Sequence, residues 1–289
     1  MTLERLVTLL KASVLSLLLV FEGYWLWRSY AQHRAEAAEE AAAVHRLLDV
    51  DAPITVTMGR RIIDTLGALE REGRLKSLTV VLDTPGGSPV ASENLYRYFK
   101  TLGERMPLYM YVNSAAASGG YYIAVAAPTI YANKNALVGS VGVIMQSVGF
   151  SGLAEALGIS DETISAGAYK ELLSPLKPTD EKTRAYIRDH LLAPIYANFA
   201  ETVAAERHLD AGQQQRYFEG RVFIAGDPRV KGVLVDETLS YPEMLALVKE
   251  KEHTPTLRRI DYAPKMEGLV ARLFKGLVAQ LRGADMRFN

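Results

Sequence analysis

Cysteine is absent from the 289-residue chain, which excludes disulfide scaffolds, thiolate zinc sites, iron–sulfur clusters and cysteine nucleophiles. The redox compartment stays open, because a cysteine-free chain tolerates reducing and oxidising surroundings alike. An excess of either charge is also missing: Lys+Arg and Asp+Glu number 33 each, for a net charge of zero. A general nucleic-acid binder carries a basic surplus, so no nucleic-acid partner is expected. The histidines His33, His45, His190, His208 and His253 are scattered, with no HExxH and no close His/Asp cluster, so no metal is expected. No GxxxxGK[ST] loop and no GxGxxG fingerprint occurs, so no nucleotide cofactor is expected either. What is present is 49% apolar and 23% charged residues, which suits a globular domain with an extra apolar segment.

That segment is Leu6–Trp27, charged only at Lys11 and Glu22. Twenty-two helical residues span roughly 33 Å, enough for a bilayer core. Tyr24, Trp25, Trp27 and Tyr30 gather at one end, where amphipathic rings favour the headgroup region. The uninterrupted apolar core, Ala12–Phe21, is of signal-peptide length, and an Ala-Glu-Ala at 35–37 offers a processing site. Bulky aromatics rather than small residues follow that core, so the expectation is an uncleaved membrane anchor over residues 1–30. The other reading is a buried amphipathic helix. Arg5 and Lys11 before the core and Arg28 and Arg34 after it leave the orientation undetermined. An Ala/Glu-rich helical spacer is expected over residues 31–52.

From about Pro53 onward short apolar bursts alternate with helical patterns. The runs LTVVL (78–82), LYMYV (108–112), TIYA (129–132), GSVGVIM (139–145) and ETISA (162–166) read as β-rich. Helical patterns cover roughly 90–102, 151–158, 211–218 and the long stretch 180–208, with Pro194 as an expected kink. RVFIA and GVLVDE are further strand-like runs. Strands separated by helices indicate βαβ units, hence an α/β domain with a largely parallel sheet over residues 53–250. Ligands of such sheets gather at the carboxyl ends of the strands. Both Gly-rich segments, 84–88 and 113–120, directly follow predicted strands. Residues 251–289 read as a basic amphipathic helix suited to an anionic membrane surface, its own domain or a neighbouring subunit.

Ser118, in AAASGGYY, is placed where a strand-to-helix turn is expected. Helix N–H groups beside a serine suit a nucleophile that generates an oxyanion, and small neighbours leave room for a substrate backbone. Ser118 also fits a simple N-cap. No GxSxG elbow or Ser/His/Asp layout accompanies it. A lysine serves as base when burial keeps it neutral, and Lys170, in ISAGAYKELLSP, is a candidate whose bland alternative is a surface lysine. Ser174 and Lys177 mimic an SxxK motif, but no KTG element accompanies them and Pro175 suits a turn.

Taken together, LDTPGGS (82–88), AAASGGYYIA (115–124), GSVGVI (139–144) and GAYKELLSP (167–175) resemble the signal peptide peptidase family, with a weaker match at 220–237. These are membrane-anchored Ser-Lys proteases, and the likeness covers roughly residues 53–240. The resemblance implies a Clp-protease/crotonase-type fold preceded by a transmembrane helix. It implies Ser118 as nucleophile, Lys170 as general base and Ser140 as the serine that holds the lysine amine. The N–H groups of Gly119 and Gly87 would form the oxyanion hole. Peptide or protein substrates and no cofactor follow from it, as does a cytoplasmic membrane location with the domain on the extracytoplasmic side. In related short forms serine and lysine come from neighbouring subunits of a homo-oligomer. Thr84 stands where the family usually has serine. A scaffold that merely keeps the fold needs none of these residues, and a crotonase-like acyl-CoA enzyme needs neither the anchor nor Lys170.

Overall fold

The computed structural model describes residues 21–31 and 44–262. Residues 21–31 are helical (α1), with Phe21, Tyr24, Trp25, Trp27 and Tyr30 exposed. Among the described residues no helix is long and apolar enough to cross a membrane. Of the anchor expected over residues 1–30, residues 1–20 lie outside the described residues, as do 32–43 and the tail from 263.

The domain begins at β1 (Val44–Val50), a strand where the helical spacer was expected to continue. Its neighbours explain the difference. β1 pairs in parallel with β2 (Leu75–Thr84) on one side and with β8 (Leu257–Arg259) on the other. The polar His45, which disguises the strand in sequence, is buried against Ser77 and Thr79. The sheet therefore includes residues that precede Pro53. β8 likewise occupies residues expected to start the C-terminal basic helix.

The eight-stranded sheet has the order β6–β5–β3–β2–β1–β8. β3 (Leu108–Ala117) is long enough to pair twice on one edge. Its first half takes β4 (Ile130–Ala132), and its last three residues take β5 (Leu137–Gly139). β6 (Val222–Ile224) joins β5 antiparallel, while β7 (Glu237–Thr238) pairs with β4; the remaining pairings are parallel. Parallel strands covered on both faces read as continuous apolar runs, which is why LTVVL and LYMYV are legible. Leu78, Val80 and Leu82 share the main core with Leu48, Met110 and Val112, whereas Val81 and Tyr111 belong to the other face.

Two helices close the main face. α2 (Val56–Arg71) starts at Thr55, whose side chain accepts the Met58 N–H at 3.1 Å. α3 (Pro89–Gly103) starts at Ser88, with Pro89 at the position where a missing N–H costs nothing. Ile62, Leu66, Leu95, Phe99 and Leu102 are fully buried between these helices and the sheet. Each contributes about 1.5–3 kcal/mol by burial, so Leu95→Ala would cost roughly 2–5 kcal/mol. On the opposite face α9 (Tyr241–Lys251) buries Met244 and Val248 against Val81, Tyr111 and Tyr131.

The chain between β5 and α8 (Ala211–Tyr217) departs from expectation in two places. GSVGVIM contributes only Gly139 to a strand, and ETISA forms none. Ile164 there is 98% exposed, and among the described residues no strand pairs with it. After α5 (Ser151–Ala156) and an irregular loop come α6 (Glu181–Tyr186), a π-helical turn (Ile187–Leu192) and α7 (Ala193–Glu206). Pro194, the second residue of α7, lacks the N–H that would continue an α-helical ladder, and the wider π turn precedes it.

Candidate active site

Three strands end at one place. β2 runs into the turn Pro85–Gly86–Gly87, β3 into Ser118, and β5 into Ser140. A residual bridge from Ile54 holds the glycine turn: Ile54 N–H donates to Gly86 O, and Ser88 N–H to Ile54 O, both at 2.8 Å. Thr84 braces it from below. Its buried hydroxyl donates to Ala52 O at 2.7 Å and accepts the Gly86 N–H at 3.2 Å. A threonine thus satisfies the turn where a serine was the expected residue.

Gly86 has φ +99°, and a Cβ on it would stand 2.8 Å from Ser118 Cβ, Ala117 O and Gly119 N. Only glycine lets the turn press this closely on the serine. Ser118 has φ 53° and ψ −123° at the N-terminal position of α4 (Gly119–Ala124). Its side chain makes no capping hydrogen bond, which removes the N-cap explanation for its presence. Its backbone is pinned instead: Ser118 N–H donates to Gly139 O at 2.9 Å, and its carbonyl accepts from Tyr121 and Tyr122. A serine held at positive φ without a capping role costs of order 1–2 kcal/mol, which makes Ser118 a candidate functional residue.

Gly119 and Gly87 are close neighbours, since a Cβ on Gly119 would be 3.4 Å from Gly87 N. Neither amide enters a backbone hydrogen bond of the described residues. Two unspent donors beside a strained serine are what an oxyanion hole requires. Ser140, at φ 54°, completes the group, its N–H donating to Arg221 O at 2.7 Å.

Ser118 sits on the partition between two cavities. One, of about 330 Å³, is walled by Val90, Tyr122, Ile195 and Phe199, with Glu93 and Asn198 also lining it. The other, of about 650 Å³, is more polar and is lined by Ser140, Arg188, Tyr196 and Glu219. Gly87 and Gly142 line both. The fold therefore brings Ser118, Ser140, Gly87 and Gly119 together. The apolar wall from α7, and Arg188, Tyr196 and Glu219, were not singled out in the sequence. No spacing signal announces them, because they reach the serine from distant elements.

Lys170 is placed elsewhere. It is exposed, on the loop between α5 and α6, and lines neither cavity. That loop is built rather than random: Tyr169 stacks on Tyr186 at 4.2 Å, and Phe150 N–H donates to Pro175 O at 2.6 Å. The SxxK decoy dissolves in the same loop. Ser174 donates to Asp161, and Lys177 is bound to Glu171 at 2.6 Å, which raises the lysine above its ordinary value and keeps it charged. Both residues of the motif are thus spent on carboxylates and not on one another.

Comparison with known proteins identifies the family. The model of peptidase family S49 matches residues 100–254. "Putative protease slr0021" of Synechocystis is 32% identical over 245 residues, 84% of each chain. "Putative protease MJ0651" of Methanocaldococcus jannaschii is 32% identical over 203 residues, 70% of this chain and 65% of its own length. The chloroplastic serine protease SPPA of Arabidopsis thaliana is 29% identical over 215 residues, 73% of this chain. The chain spans 65% and 31% of the lengths of these last two relatives.

Proposed function

The chain belongs to peptidase family S49, and on that premise we propose that it is a serine endopeptidase whose nucleophile is Ser118 and whose general base is Lys170. The observation that carries the reading is the strained, uncapped Ser118 beside the free N–H groups of Gly87 and Gly119. Neutral Lys170 takes the Ser118 proton as Oγ attacks a peptide carbonyl, and the oxyanion falls between the two glycine amides. The lysine then protonates the leaving amine, and water hydrolyses the acyl-enzyme with the same lysine as base. Ser140 holds the lysine amine. The apolar cavity at Tyr122 and Phe199 suits an apolar side chain of an extended peptide. That fits signal-peptide remnants or unfolded, membrane-associated proteins as substrates.

Because Lys170 stands away from Ser118 in one chain, the dyad is proposed to close between two copies in a Clp-type homo-oligomer. Exposed apolar residues along the segment that carries Lys170 support this. Ile144 is 78%, Leu157 65% and Ile164 98% exposed, in a density of apolar surface that a monomer rarely leaves in water. The apolar run Leu6–Trp27 is proposed to anchor the protein in the cytoplasmic membrane, with the domain on its extracytoplasmic side.

The test uses the purified full chain with an unfolded protein and an apolar signal-like peptide, beside Ser118→Ala and Lys170→Ala. Cleavage lost in both variants at unchanged oligomer mass supports the dyad. Mixing the two inactive variants restores part of the cleavage if each site draws on two copies. Cleavage that survives in either variant removes the dyad.

A further inference from the structure

Among the described residues five non-glycine residues have left-handed φ: Ser118, Ser140, His208, Glu219 and His253. His208 and His253 stand just past the caps of α7 and α9, where a left-handed residue is an ordinary way to end a helix. The other three line one cavity, the polar one beside the nucleophile. Two of them are the serines already discussed. Glu219 is the third, and it has no part in the dyad.

Glu219 is an unusual residue for its position. Glu219 at φ 63° and Gly220 at φ 71° are consecutive left-handed residues, closed by Arg221 N–H to Phe218 O at 3.4 Å. That is the φ pattern of a type I′ turn, whose first central residue is ordinarily Asn, Asp or Gly. A glutamate there bears a backbone cost that a shorter or absent side chain would reduce. The turn is also fixed in place. Gly220 N–H donates to Val141 O at 2.9 Å and Ser140 N–H to Arg221 O at 2.7 Å, so the turn that carries Glu219 is tied to the backbone at Ser140 and Val141. The carboxylate is oriented in turn, accepting the Tyr196 O–H at 2.9 Å.

We propose that Glu219 is a positioning residue of the peptidase site, whose carboxylate, held by Tyr196, receives the ammonium form of Lys170 from a second copy. The inference rests on the Ser118/Lys170 reading and extends it. During attack the Ser118 O–H bond breaks, its proton passes to the lysine Nζ, and the Oγ–carbon bond forms. A cation thus appears where none stood before, in a cavity that already presents a fixed carboxylate. Glu219 takes no proton. It orients the amine and stabilises the charge that the transfer creates, as a carboxylate does for a protonated base in a triad.

The charged and titratable groups facing this cavity are few. Arg188 comes from the π-helical turn, Tyr196 from α7 and Glu219 from the turn before β6. Across the partition, Glu93 of α3 is occupied by Arg97 at 2.7 Å. On the lysine's own loop, Glu171 and Asp161 are both engaged by Lys177. Glu219 is therefore the carboxylate that lines this cavity, with Arg188 opposing it but itself paired with Asp189 at 2.8 Å. A carboxylate beside an amine favours the protonated form, so its removal should move the acidic limb of the pH–rate profile to lower pH.

The experiment measures kcat and kcat/KM against pH for the full chain, its Glu219→Gln and Glu219→Asp variants, and Tyr196→Phe, with oligomer mass followed by light scattering. Glu219→Gln is expected to lower kcat by about 10- to 100-fold and to shift the acidic limb down by about one pH unit. Glu219→Asp should recover most of the rate and the limb, and Tyr196→Phe should shift the limb in the same direction by less. A fall in rate with an unmoved limb, at intact oligomer mass, overturns the proposal. If Glu219→Gln does not assemble, the limb of Tyr196→Phe decides alone. Lys170→Ala separates the two levels of argument: cleavage that survives there removes the dyad itself, whereas loss there with an unmoved limb in the Glu219 and Tyr196 variants removes only the role given to Glu219.

Discussion

The amide of Ser118 donates to the carbonyl of Gly139 at 2.9 Å, joining the end of β3 to the end of β5 one residue before Ser140. Through that bond two serines at left-handed φ, 53° and 54°, are held in one register. The sheet thus bears the cost of an unfavourable backbone at the point where a hydroxyl must stand clear of its own helix.

Ser118→Gly tests that cost directly. Glycine accepts φ 53° without strain, so the variant should gain about 1 kcal/mol while losing all cleavage. For a domain of this size the gain corresponds to a rise in Tm of roughly 2–4 °C by calorimetry. Ser118→Ala, which keeps a Cβ, should be equally inactive with Tm unchanged. A Tm for Ser118→Gly at or below wild type would mean that Ser118 is not strained.

Gly119 gives a second prediction. A Cβ there would fall 2.2 Å from Ser92 Oγ and 3.2 Å from Ser92 Cβ. Ser92 cannot swing away freely, since it is fully buried and its hydroxyl donates to Ser88 O at 3.0 Å. Gly119→Ala should therefore displace α3 from α4 and cost about 1–3 kcal/mol, with most of the activity. Ser92→Ala in the same chain should return part of the stability, a coupling of about 0.5–3 kcal/mol in a double-mutant cycle. Strictly additive effects would show that the two residues do not press on each other.

What the sequence made legible follows from how each part is encoded. β2 and β3 lie between helices on both faces, so they appear as unbroken apolar runs. β1 hid because His45, Arg46 and Asp49 interrupt its apolar pattern, and the cross-strand hydroxyls of Ser77 and Thr79 that pair with the His45 ring are invisible in a linear string. ETISA alternates like a strand, yet alternation without a partner edge makes no ladder. At the site, the turn glycines and Ser118 are readable because close backbone approach demands small residues in series. Glu219, Tyr196 and Arg188 are not, because each is an ordinary surface type in its own segment and acquires meaning only when α7 and the turn before β6 converge on Ser140. Lys170 is suggested in the sequence by its small and apolar neighbours and by the family likeness, and one chain does not carry it to the serine.

The ion pair of Arg207 and Asp236 should set much of the domain's stability away from the site. Arg207 is almost fully buried and binds Asp236 through both terminal nitrogens, at 2.8 and 3.0 Å, and Val233 O through Nε. Asp236 also accepts the Ile130 N–H at 2.7 Å. Removing the carboxylate leaves a buried guanidinium uncompensated, so Asp236→Ala should cost about 3 kcal/mol, at the lower end of buried pairs because Asp236 is partly exposed. Urea unfolding measures it. A loss below about 1 kcal/mol would place the pair with ordinary surface ion pairs.

His45 predicts how stability depends on pH. Its ring is fully buried, with Nδ1 2.7 Å from Ser77 Oγ and Nε2 2.9 Å from Thr79 Oγ1. Burial disfavours the imidazolium and brings its pKa down from 6.5 to about 4; Lys76 adds to the shift and Glu252 opposes it. The unfolded chain therefore binds the proton first as pH falls. Full stability is present above pH 6.5, is lost progressively between 6.5 and about 4, and levels off below. The loss from this one group amounts to at most about 3 kcal/mol. His45→Gln, which keeps a donor and an acceptor without titrating, should be less stable than wild type at pH 8 through imperfect fit. Its own stability should fall less steeply across the window. Urea unfolding of both proteins from pH 8 to 4 reads the difference in slope, and parallel curves would mean that His45 takes up its proton as readily in the folded protein as in the unfolded chain.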